Sequence, residues 1–279
     1  MHVVSADRAA WLNGHNSDIS NPMDTGTAGG TGPDPHEICA MRIGLFLDVD
    51  GTLLEFAARP DEVRVDAETR TLLFRLQGLL QGALALVSGR SLRQLDGLFH
   101  PLELPAAGIH GLERRSAGGV VFRPAQSVAA LDQARSELRA AAPPDSGLLL
   151  EDKGHALALH YRGAPQSAGM ARASMHEAAM KLGPDFQIIE GAQVVELKPA
   201  GHSKATAIEA FMKERPFHGC TPVFLGDDVT DFDGFAAVRN HGGMDVAVGN
   251  RVSARWSLES PAATRRWLQE LADCLSGKG

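Results

Sequence analysis

Apolar and polar positions alternate in blocks over residues 43–109, and the blocks have the lengths of strands and helices. The run 43–47 is apolar on both faces, which is typical of a buried strand in a parallel sheet. Leucines at helical spacing then predict a helix, and a second apolar run predicts the next strand. The predicted elements are, in order, strand 43–47, helix 67–80, strand 83–87, helix 92–99 and strand 106–109. This βαβα order predicts an α/β fold with a doubly wound, Rossmann-like parallel sheet.

The pattern changes at about residue 113. A hairpin turning at Gly118-Gly119 is followed by a helix and by strands that alternate polar and apolar residues, which is typical of an antiparallel sheet. The α/β order resumes with a helix at Ser203, and Ser260-Pro261 begins the last helix. We therefore predict a core formed by 39–112 and 198–279 and an inserted α+β cap domain over 113–197.

Residues 1–38 differ from the rest of the chain, since Gly, Asp, Asn, Ser, Thr and Pro dominate them. Such a segment buries too little apolar surface to offset its ordering entropy. We predict a flexible tail with a short helix near residues 9–12.

Composition narrows the class of protein. The 279 residues are 44% hydrophobic and 22% charged, as in globular proteins, and the net charge of −7 gives no nucleic-acid footprint. No apolar run reaches the roughly 18 residues of a membrane span, and no basic segment precedes an apolar one at the N-terminus. We expect a cytoplasmic protein. Three scattered cysteines form no disulfide framework or zinc spacing, and Cys220 and Cys274 are expected to be reduced and partly buried.

The first predicted strand ends in two acids, Asp48 and Asp50, followed by Gly51 and Thr52. Carboxylates this close repel each other unless a cation or a proton lies between them. Mg²⁺ prefers one or two carboxylates, waters and a substrate phosphate, and an Asp carboxylate can also act as a nucleophile. A lone Asp-x-Asp would more often be an ordinary turn, but the string Asp-x-Asp-Gly-Thr after an apolar strand is more specific.

Polar groups follow other predicted strands and begin the helix after the insertion. Ser88 and Arg90 follow the second strand, the acids from Asp227 to Asp231 follow a later one, and Lys204 begins the helix. Each group alone has an ordinary explanation as a turn, a surface lysine or a helix cap. Because the carboxyl ends of parallel strands meet at one edge of a sheet, we expect them to share one crevice.

The order of these motifs resembles the haloacid dehalogenase superfamily of phosphotransferases. The motifs are Asp48-x-Asp-Gly-Thr, Ser88-Gly-Arg, Lys204 and Gly226-Asp-Asp-x-Thr-Asp. The segments that are similar to trehalose-6-phosphate phosphatases are Gly108-Ile-His-Gly-Leu-Glu, Glu151-Asp-Lys, His160-Tyr-Arg and Val194-Val-Glu-Leu-Lys-Pro. The resemblance covers about residues 42–275. Ala205 departs from it where a Gly often follows the Lys, and Phe232 where an acid often follows Thr-Asp.

The resemblance implies roles at the predicted crevice. Asp48 would be the nucleophile, Asp50 the general acid and base, and Ser88 and Lys204 would hold the phosphoryl group. Mg²⁺ would be bound by Asp48, the Asp50 carbonyl and Asp227, with Asp231 in support. In the cap, Glu151, Lys153 and Glu196 would bind sugar hydroxyls. The further substrate contacts implied are Arg90, His110, Gly111 and Arg162.

The sequence thus predicts a Mg²⁺-dependent phosphatase that hydrolyses trehalose 6-phosphate through an aspartyl-phosphate. One alternative is a phosphatase of another sugar phosphate, such as sucrose 6-phosphate. Others are a non-catalytic phosphosugar-binding domain, which the presence of both Asp48 and Asp50 disfavours, and an interaction module, which the composition does not support. We expect a small-molecule substrate, no nucleic-acid or membrane partner, and a monomer.

Overall fold

The structure is a computed structural model, and it describes residues 32–57, 59–123 and 128–277. The strands are β1 (Ile43–Leu47), β2 (Leu84–Val87), β3 (Ala106–Gly108), β4 (Glu113–Arg115), β5 (Val121–Phe122), β6 (Leu149–Asp152), β7 (Leu157–His160), β8 (Phe186–Gly191), β9 (Val194–Pro199), β10 (Thr221–Gly226), β11 (Met244–Val248) and β12 (Trp256–Leu258). The helices are α1 (Pro35–Ile38), α2 (Ala67–Leu79), α3 (Leu92–Phe99), α4 (Asp132–Ala141), α5 (Ala168–Leu182), α6 (Lys204–Met212), α7 (Phe232–Asn240) and α8 (Pro261–Ser276).

The larger of two sheets has eight strands in the order β12-β11-β10-β1-β2-β3-β4-β5. The six strands from β12 to β3 are parallel, and every residue of the central strand β1 is buried. β1 lies between β2 and β10, so the carboxyl ends of these three strands meet at one edge, where open α/β sheets bind ligands. The predicted doubly wound parallel sheet is confirmed.

The smaller sheet has four antiparallel strands in the order β6-β7-β9-β8, with α4 and α5 packed together beside it. It has its own apolar core, which includes Leu157, Leu159 and Tyr161. These three residues lie in one cluster, as their alternation along the sequence predicts. The insertion thus forms a layer with its own core.

The hairpin of β4 and β5 belongs to the larger sheet, although the sequence assigned it to the insertion. β4 pairs antiparallel with β3, and β5 pairs with β4. The chain reverses in the short turn 109–112, so β4 pairs with the nearest open edge. The second sheet starts only at Leu149. The division into a catalytic core and a cap remains a proposal, with this hairpin moved to the core.

Residues 32–38 contact the larger domain, whereas the sequence placed them in a flexible tail. Ile38 is fully buried, and the Trp267 indole donates a hydrogen bond to the Pro33 carbonyl at 2.7 Å. A single isoleucine among polar residues gives no periodic signal, which is why the contact was missed. The remaining tail prediction, residues 1–31 with the helix at 9–12, lies outside the described residues.

Cys39 and Cys274 form a disulfide between the end of α1 and α8, so the expectation that Cys274 is reduced is wrong. The two cysteines are 235 positions apart in sequence, and they meet because α1 packs on α8. Cys220 is a free and buried thiol, as predicted. In the described part of the chain, no helix has the length and apolar character needed to cross a membrane.

The docking of α1 predicts the effect of a truncation. A chain beginning at residue 39 loses the burial of Ile38, about 1.5–3 kcal/mol, and the Trp267 hydrogen bond, about 1 kcal/mol. We expect its Tm to be lower than that of a chain beginning at residue 32 by roughly 5–15 °C. Thermal unfolding of both chains in reductant isolates this effect from the disulfide. Equal Tm values would show that α1 does not stabilise the fold.

Candidate active site

Three buried carboxylates meet at the carboxyl ends of β1 and β10. Asp48 directly follows β1, Asp227 directly follows β10, and Asp231 ends a 3₁₀ turn, Val229–Asp231. One oxygen of each lies within 4.8 Å of the others, and their exposed fractions are 5%, 1% and 0%. The structure therefore brings together the three predicted metal-binding carboxylates, and the Asp50 carbonyl stays a prediction as a further ligand.

Lys204 supplies positive charge to this cluster. It is the first residue of α6, which the Ser203 side chain caps by accepting a hydrogen bond from the Thr206 N–H. The Lys204 Nζ donates to Asp48 Oδ1 at 2.8 Å and to Asp231 Oδ1 at 2.5 Å. Burial favours the neutral amine, but Asp231 and Asp48 outweigh it and raise the pKa of Lys204 above its usual value.

Lys204 and Arg251, which pairs with Asp227, supply two positive charges against three buried acids. Burial raises the pKa of Asp48 to about 7, and although Lys204 lowers it, repulsion from Asp231 and Asp50 adds to the increase. An additional cation at this point would favour the ionised carboxylate. Among the described residues the cluster consists of carboxylates alone, and clustered carboxylate oxygens suit Mg²⁺, so these residues fit that ion.

Asp231 fixes the loop after β10 in addition to binding Lys204. Its Oδ2 accepts hydrogen bonds from the N–H groups of Asp227 and Asp228, both at 3.0 Å. Gly226 permits this approach, because a Cβ there would lie 2.4 Å from the Asp231 Cγ. With both oxygens occupied, Asp231 acts mainly on the position of its neighbours.

Asp227 is held from the β1 side. The Thr52 hydroxyl donates to Asp227 Oδ1 at 2.9 Å. Gly51 has a left-handed backbone, with φ of 90°, and a Cβ there would lie 2.3 Å from Asp227 Oδ2. The Asp-x-Asp-Gly-Thr string therefore needs glycine and threonine to pack against the acid of a neighbouring strand.

The side chain of Asp50 lies outside the three-acid cluster. Arg90 donates from Nε and Nη2 to its two oxygens, both at 2.6 Å, and from Nη1 to the Pro60 carbonyl at 3.0 Å. The structure thus pairs Arg90, a predicted substrate contact, with the predicted acid and base. Ser88 is almost fully buried at the end of β2, and its hydroxyl accepts from the Arg90 N–H at 3.2 Å.

In the smaller sheet, Glu196 and Lys153 form a buried ion pair that contacts the core. Lys153 Nζ donates to Glu196 Oε1 at 2.7 Å and to the Gly89 carbonyl at 2.8 Å. His110 Nε2 lies 3.4 Å from Glu196 Oε2, but the geometry does not make a hydrogen bond. His110 Nδ1 and Glu196 Oε2 are therefore buried polar atoms without a partner among the described residues. Unpaired buried polar atoms are rare in native proteins, and both residues line a cavity between the sheets.

Burial and the contacts with Lys153 also determine how Glu196 and His110 ionise. Burial opposes ionisation of Glu196, but Lys153 and His110 outweigh it and hold its pKa far below the usual range. Burial lowers the pKa of His110, although Glu196 partly offsets that effect. Lys153 and His110 thus favour the carboxylate form of Glu196, while burial favours the neutral form of His110.

Glu151 and Arg162 also join the two sheets. Glu151 accepts from Gln94 of α3 and pairs with His160 Nε2 at 2.8 Å. Burial opposes its ionisation, yet His160, Lys153 and Gln94 together lower the pKa of Glu151 to about 2. Arg162 donates to the Ala57 carbonyl of the core and lies over the Phe56 ring, with its Cζ 5.2 Å from the centroid.

A cavity of about 710 Å³ lies between the sheets. Small-molecule sites usually measure about 300–1,000 Å³. The predicted site residues that line it are Asp48, Asp50, Ser88, Arg90, His110, Glu151, Lys153, Arg162, Glu196 and Lys204. The cavity thus connects the acid cluster at one end with the polar residues of the smaller sheet at the other.

Gly111 has a different position from the one predicted, since it is not among the residues lining this cavity. Its φ is 88°, and a Cβ there would lie 2.1 Å from the Ser203 carbonyl oxygen. Gly111 therefore allows the turn after β3 to pack against the start of α6, where Lys204 lies. Its role in the structure is packing.

Sequence reasoning missed two residues that contact the acid cluster or its edge. Arg251 binds the Asp227 carboxylate, and its Cζ lies 4.5 Å from the centroid of Phe56. The available signal was position, because Arg251 follows β11, the neighbour of β10. No recognised motif includes either residue.

The sequence model of the trehalose-phosphatase family matches residues 46–264. This range contains the acid cluster, Lys204 and the polar residues of the smaller sheet. The chain belongs to the trehalose-phosphatase family. The predicted resemblance is thereby confirmed, and with it the class of enzyme, since the members of this family are phosphoric monoester hydrolases.

Two curated relatives support the family at higher identity. A probable trehalose-phosphate phosphatase of Sinorhizobium fredii is 43% identical over 216 residues, covering 77% of this chain and 81% of the relative. The trehalose-6-phosphate phosphatase of Escherichia coli is 42% identical over 234 residues, covering 84% of this chain and 88% of the relative.

A solved structure supports the fold. The C-terminal domain of Candida albicans trehalose-6-phosphate phosphatase superposes with a TM-score of 0.73 at 19% identity, covering 89% of this chain and 99% of that domain. At this identity the likeness concerns the fold alone.

The packing at Gly111 gives a testable difference between two glycines. Gly111→Ala adds a methyl group against the Ser203 carbonyl, while Gly119→Ala changes a glycine of similar φ, 79°, with nothing within 4 Å. Both substitutions impose left-handed strain, about 1–2 kcal/mol. We expect Gly111→Ala to destabilise the protein by about 1–3 kcal/mol more, through overpacking. Chemical denaturation of both variants measures the difference, and equal losses would contradict the packing role.

Proposed function

We propose that the protein hydrolyses trehalose 6-phosphate to trehalose and phosphate. The observation that carries the proposal is one cavity, which is lined at one end by Asp48 and Lys204 of the acid cluster and at the other by His110 and Glu196. His110 Nδ1 and Glu196 Oε2 have no partner among the described residues. A phosphate at the first end would place an attached sugar against the second. The names of the two curated relatives indicate the disaccharide.

The reaction we propose begins at Asp48. Its carboxylate attacks phosphorus and the bond to the sugar oxygen breaks, which forms an aspartyl-phosphate on Asp48 and releases trehalose. Lys204 contacts the Asp48 carboxylate, so it would neutralise charge on the phosphoryl oxygens next to it. The Ser88 hydroxyl at the cavity wall would donate a hydrogen bond to the same group.

Asp50 would move the protons. In the first half-reaction it protonates the leaving sugar oxygen, and in the second it takes a proton from the water that attacks the aspartyl-phosphate. The bidentate contact with Arg90 fixes the orientation of the Asp50 carboxylate at the cavity wall.

Asp48, the Asp50 carbonyl and Asp227, supported by Asp231, would hold Mg²⁺. When bound, Mg²⁺ would neutralise the carboxylates and the phosphate and polarise a phosphoryl oxygen. The excess of buried negative charge around Asp48 supports this assignment.

Recognition of the sugar would come from the smaller sheet. Glu196 and Lys153 lie in one buried pair, and Glu151 is oriented by Gln94 and His160. These groups are held in place before a ligand arrives, so little ordering is required on binding. A phosphatase of another sugar phosphate, such as sucrose 6-phosphate, would use the same acid cluster, and a substrate panel distinguishes the two.

The cytoplasmic location, the monomeric state and the absence of nucleic-acid and membrane partners remain predictions from the sequence.

Removal of Mg²⁺ tests the metal assignment. We expect metal-free protein to release phosphate from trehalose 6-phosphate at less than about a hundredth of the rate with Mg²⁺, because the attacking carboxylate and the phosphate are both anionic. Phosphate release is measured after chelation with verified metal removal, and again after Mg²⁺ is restored. Full turnover without the metal would refute the assignment.

Two substitutions separate chemistry from recognition. Asp48→Asn removes the nucleophile, so hydrolysis of trehalose 6-phosphate and of a small aryl phosphate should both collapse. Glu196→Gln keeps the shape of the side chain and replaces a charged carboxylate, which can accept a hydrogen bond from a sugar hydroxyl, with a neutral amide. A hydrogen bond to a charged group contributes about 1.5–3 kcal/mol. We expect roughly a ten- to hundredfold lower kcat/KM for trehalose 6-phosphate and nearly unchanged hydrolysis of the aryl phosphate.

Glu190→Gln is the matched control, because Glu190 is an exposed residue of the same sheet. It should leave both substrates unaffected. Equal losses on both substrates in Glu196→Gln would assign Glu196 to structure or catalysis and would remove the recognition argument.

A further inference from the structure

Lys198 is a buried charged residue that the proposed reaction does not use. It lies in β9, its exposed fraction is 0%, and it is not among the residues lining the cavity. Burial lowers the pKa of Lys198 to about 8, with Glu196 and Asp233 partly raising it and Lys153 lowering it. An apolar side chain of the same length would be less costly to bury, so the contacts of the amine need a reason.

The two carbonyl oxygens that accept hydrogen bonds from Lys198 lie in two separate segments of the chain. Its Nζ donates to the His110 carbonyl at 3.2 Å and to the His202 carbonyl at 2.5 Å. His110 is in the turn 109–112 of the larger sheet, and His202 is in the connection from β9 back to α6. Lys198 thus ties the last strand of the smaller sheet to a turn of the core.

This turn has an uncommon backbone. Ile109, His110 and Gly111 are consecutive residues with positive φ, of 49°, 51° and 88°. Left-handed backbone costs free energy for residues other than glycine, and it persists only where surrounding contacts hold it. The Ile109 and His110 N–H groups donate to the Arg90 and Ser88 carbonyls, both at 2.9 Å. These two hydrogen bonds hold the N–H groups of the turn in place.

Lys198 holds a carbonyl group of the same turn, that of His110. The His202 carbonyl also accepts from Gln187 at 3.3 Å, whereas among the described residues Lys198 is the donor found for the His110 carbonyl. Loss of the amine would therefore leave the His110 carbonyl buried and unpaired, while His202 would keep a partner. Loss of the Lys198 amine is therefore expected to affect the turn that contains His110 more than the segment that contains His202.

His110 is the residue that this turn presents to Glu196. A Cβ at Gly89 would lie 2.7 Å from His110 Nε2, so the ring fits closely between Gly89 and Glu196. A displacement of the turn would move the ring relative to the Glu196 oxygen beside it, 3.4 Å from His110 Nε2, but it would not move Asp48 on β1.

We propose that Lys198 is a positioning residue that holds the left-handed turn at His110, and thereby sets His110 and Glu196 for binding of the sugar without touching the substrate. The effect on the sugar rests on the proposed function, while the effect on the turn does not.

The test compares Lys198→Met, which keeps length and removes the donors, with Lys213→Met, a control at an exposed lysine. Hydrogen exchange of backbone amides in the full chain reports on the turn. We expect exchange over residues 108–113 to be at least tenfold faster in Lys198→Met, with residues 43–48 unchanged. Unchanged exchange over 108–113 would overturn the proposal.

Steady-state kinetics distinguish a role of Lys198 in positioning His110 from a general role in stability. With Lys198→Met we expect the KM for trehalose 6-phosphate to rise at least tenfold, with kcat, and kcat/KM for a small aryl phosphate, within threefold of the unsubstituted protein. Equal losses on both substrates, or a KM within twofold, would overturn the proposal. Failure of the proposed function would appear instead as no phosphate release from trehalose 6-phosphate by the unsubstituted protein.

A second variant keeps the test decisive if Lys198→Met does not fold. Lys198→Gln keeps two N–H donors on a shorter side chain, and we expect intermediate changes in exchange and KM. If Lys198→Met does not fold, Lys198→Gln is judged by the same limits. If neither folds, Lys198 is a general determinant of stability, and the proposal is rejected.

Discussion

The contact between Lys204 and Asp48 is the interaction on which the arrangement of this site depends. Two buried acids, Asp48 and Asp231, share the one ammonium group. Removing one partner of a buried ion pair leaves an uncompensated charge, which costs about 3–5 kcal/mol. The chain meets this constraint by beginning α6 at Lys204, directly after it returns from the smaller sheet. Gly51 and Gly226 then allow the loops after β1 and β10 to approach the acids closely.

The smaller sheet is joined to the core around the cavity by polar and apolar contacts. Lys153 donates to the Gly89 carbonyl, Gln94 donates to Glu151, and Arg162 donates to the Ala57 carbonyl. Ile109 and Leu112 of the core turn form a buried apolar cluster with Ala156, between β6 and β7. These contacts hold the polar residues of the smaller sheet opposite the acid cluster.

The sequence predicts the centre of the site well because the chemistry there is local. Asp48 and Lys204 lie at the ends of recognisable apolar blocks, and parallel strands bring such ends together. The sequence predicts less where a contact depends on packing between distant elements. Cys39 and Cys274 meet only because α1 packs on α8, and Ile38 gives no periodic signal.

The same limit applies to residues whose partners are backbone atoms. Gly111 lies beside His110 in a family motif, yet its contact is the Ser203 carbonyl. Lys198 also belongs to a recognised segment, but its role depends on a left-handed turn that no pattern of side chains predicts. The sequence pattern places the hairpin β4–β5 in the insertion because the α/β order is interrupted at about residue 113, whereas its pairing is decided by the free edge at β3.

The central claim is that Asp48 receives the phosphoryl group at the Lys204 end of the cavity. The most direct test is rapid acid quench of the protein with Mg²⁺ and trehalose 6-phosphate carrying ³²P, followed by mapping of the labelled peptide. The account predicts label on Asp48 that survives the cold acid quench and is released by neutral hydroxylamine, and no label in Asp48→Asn. Label on another residue, such as Ser88, or turnover that persists in Asp48→Asn, would contradict it.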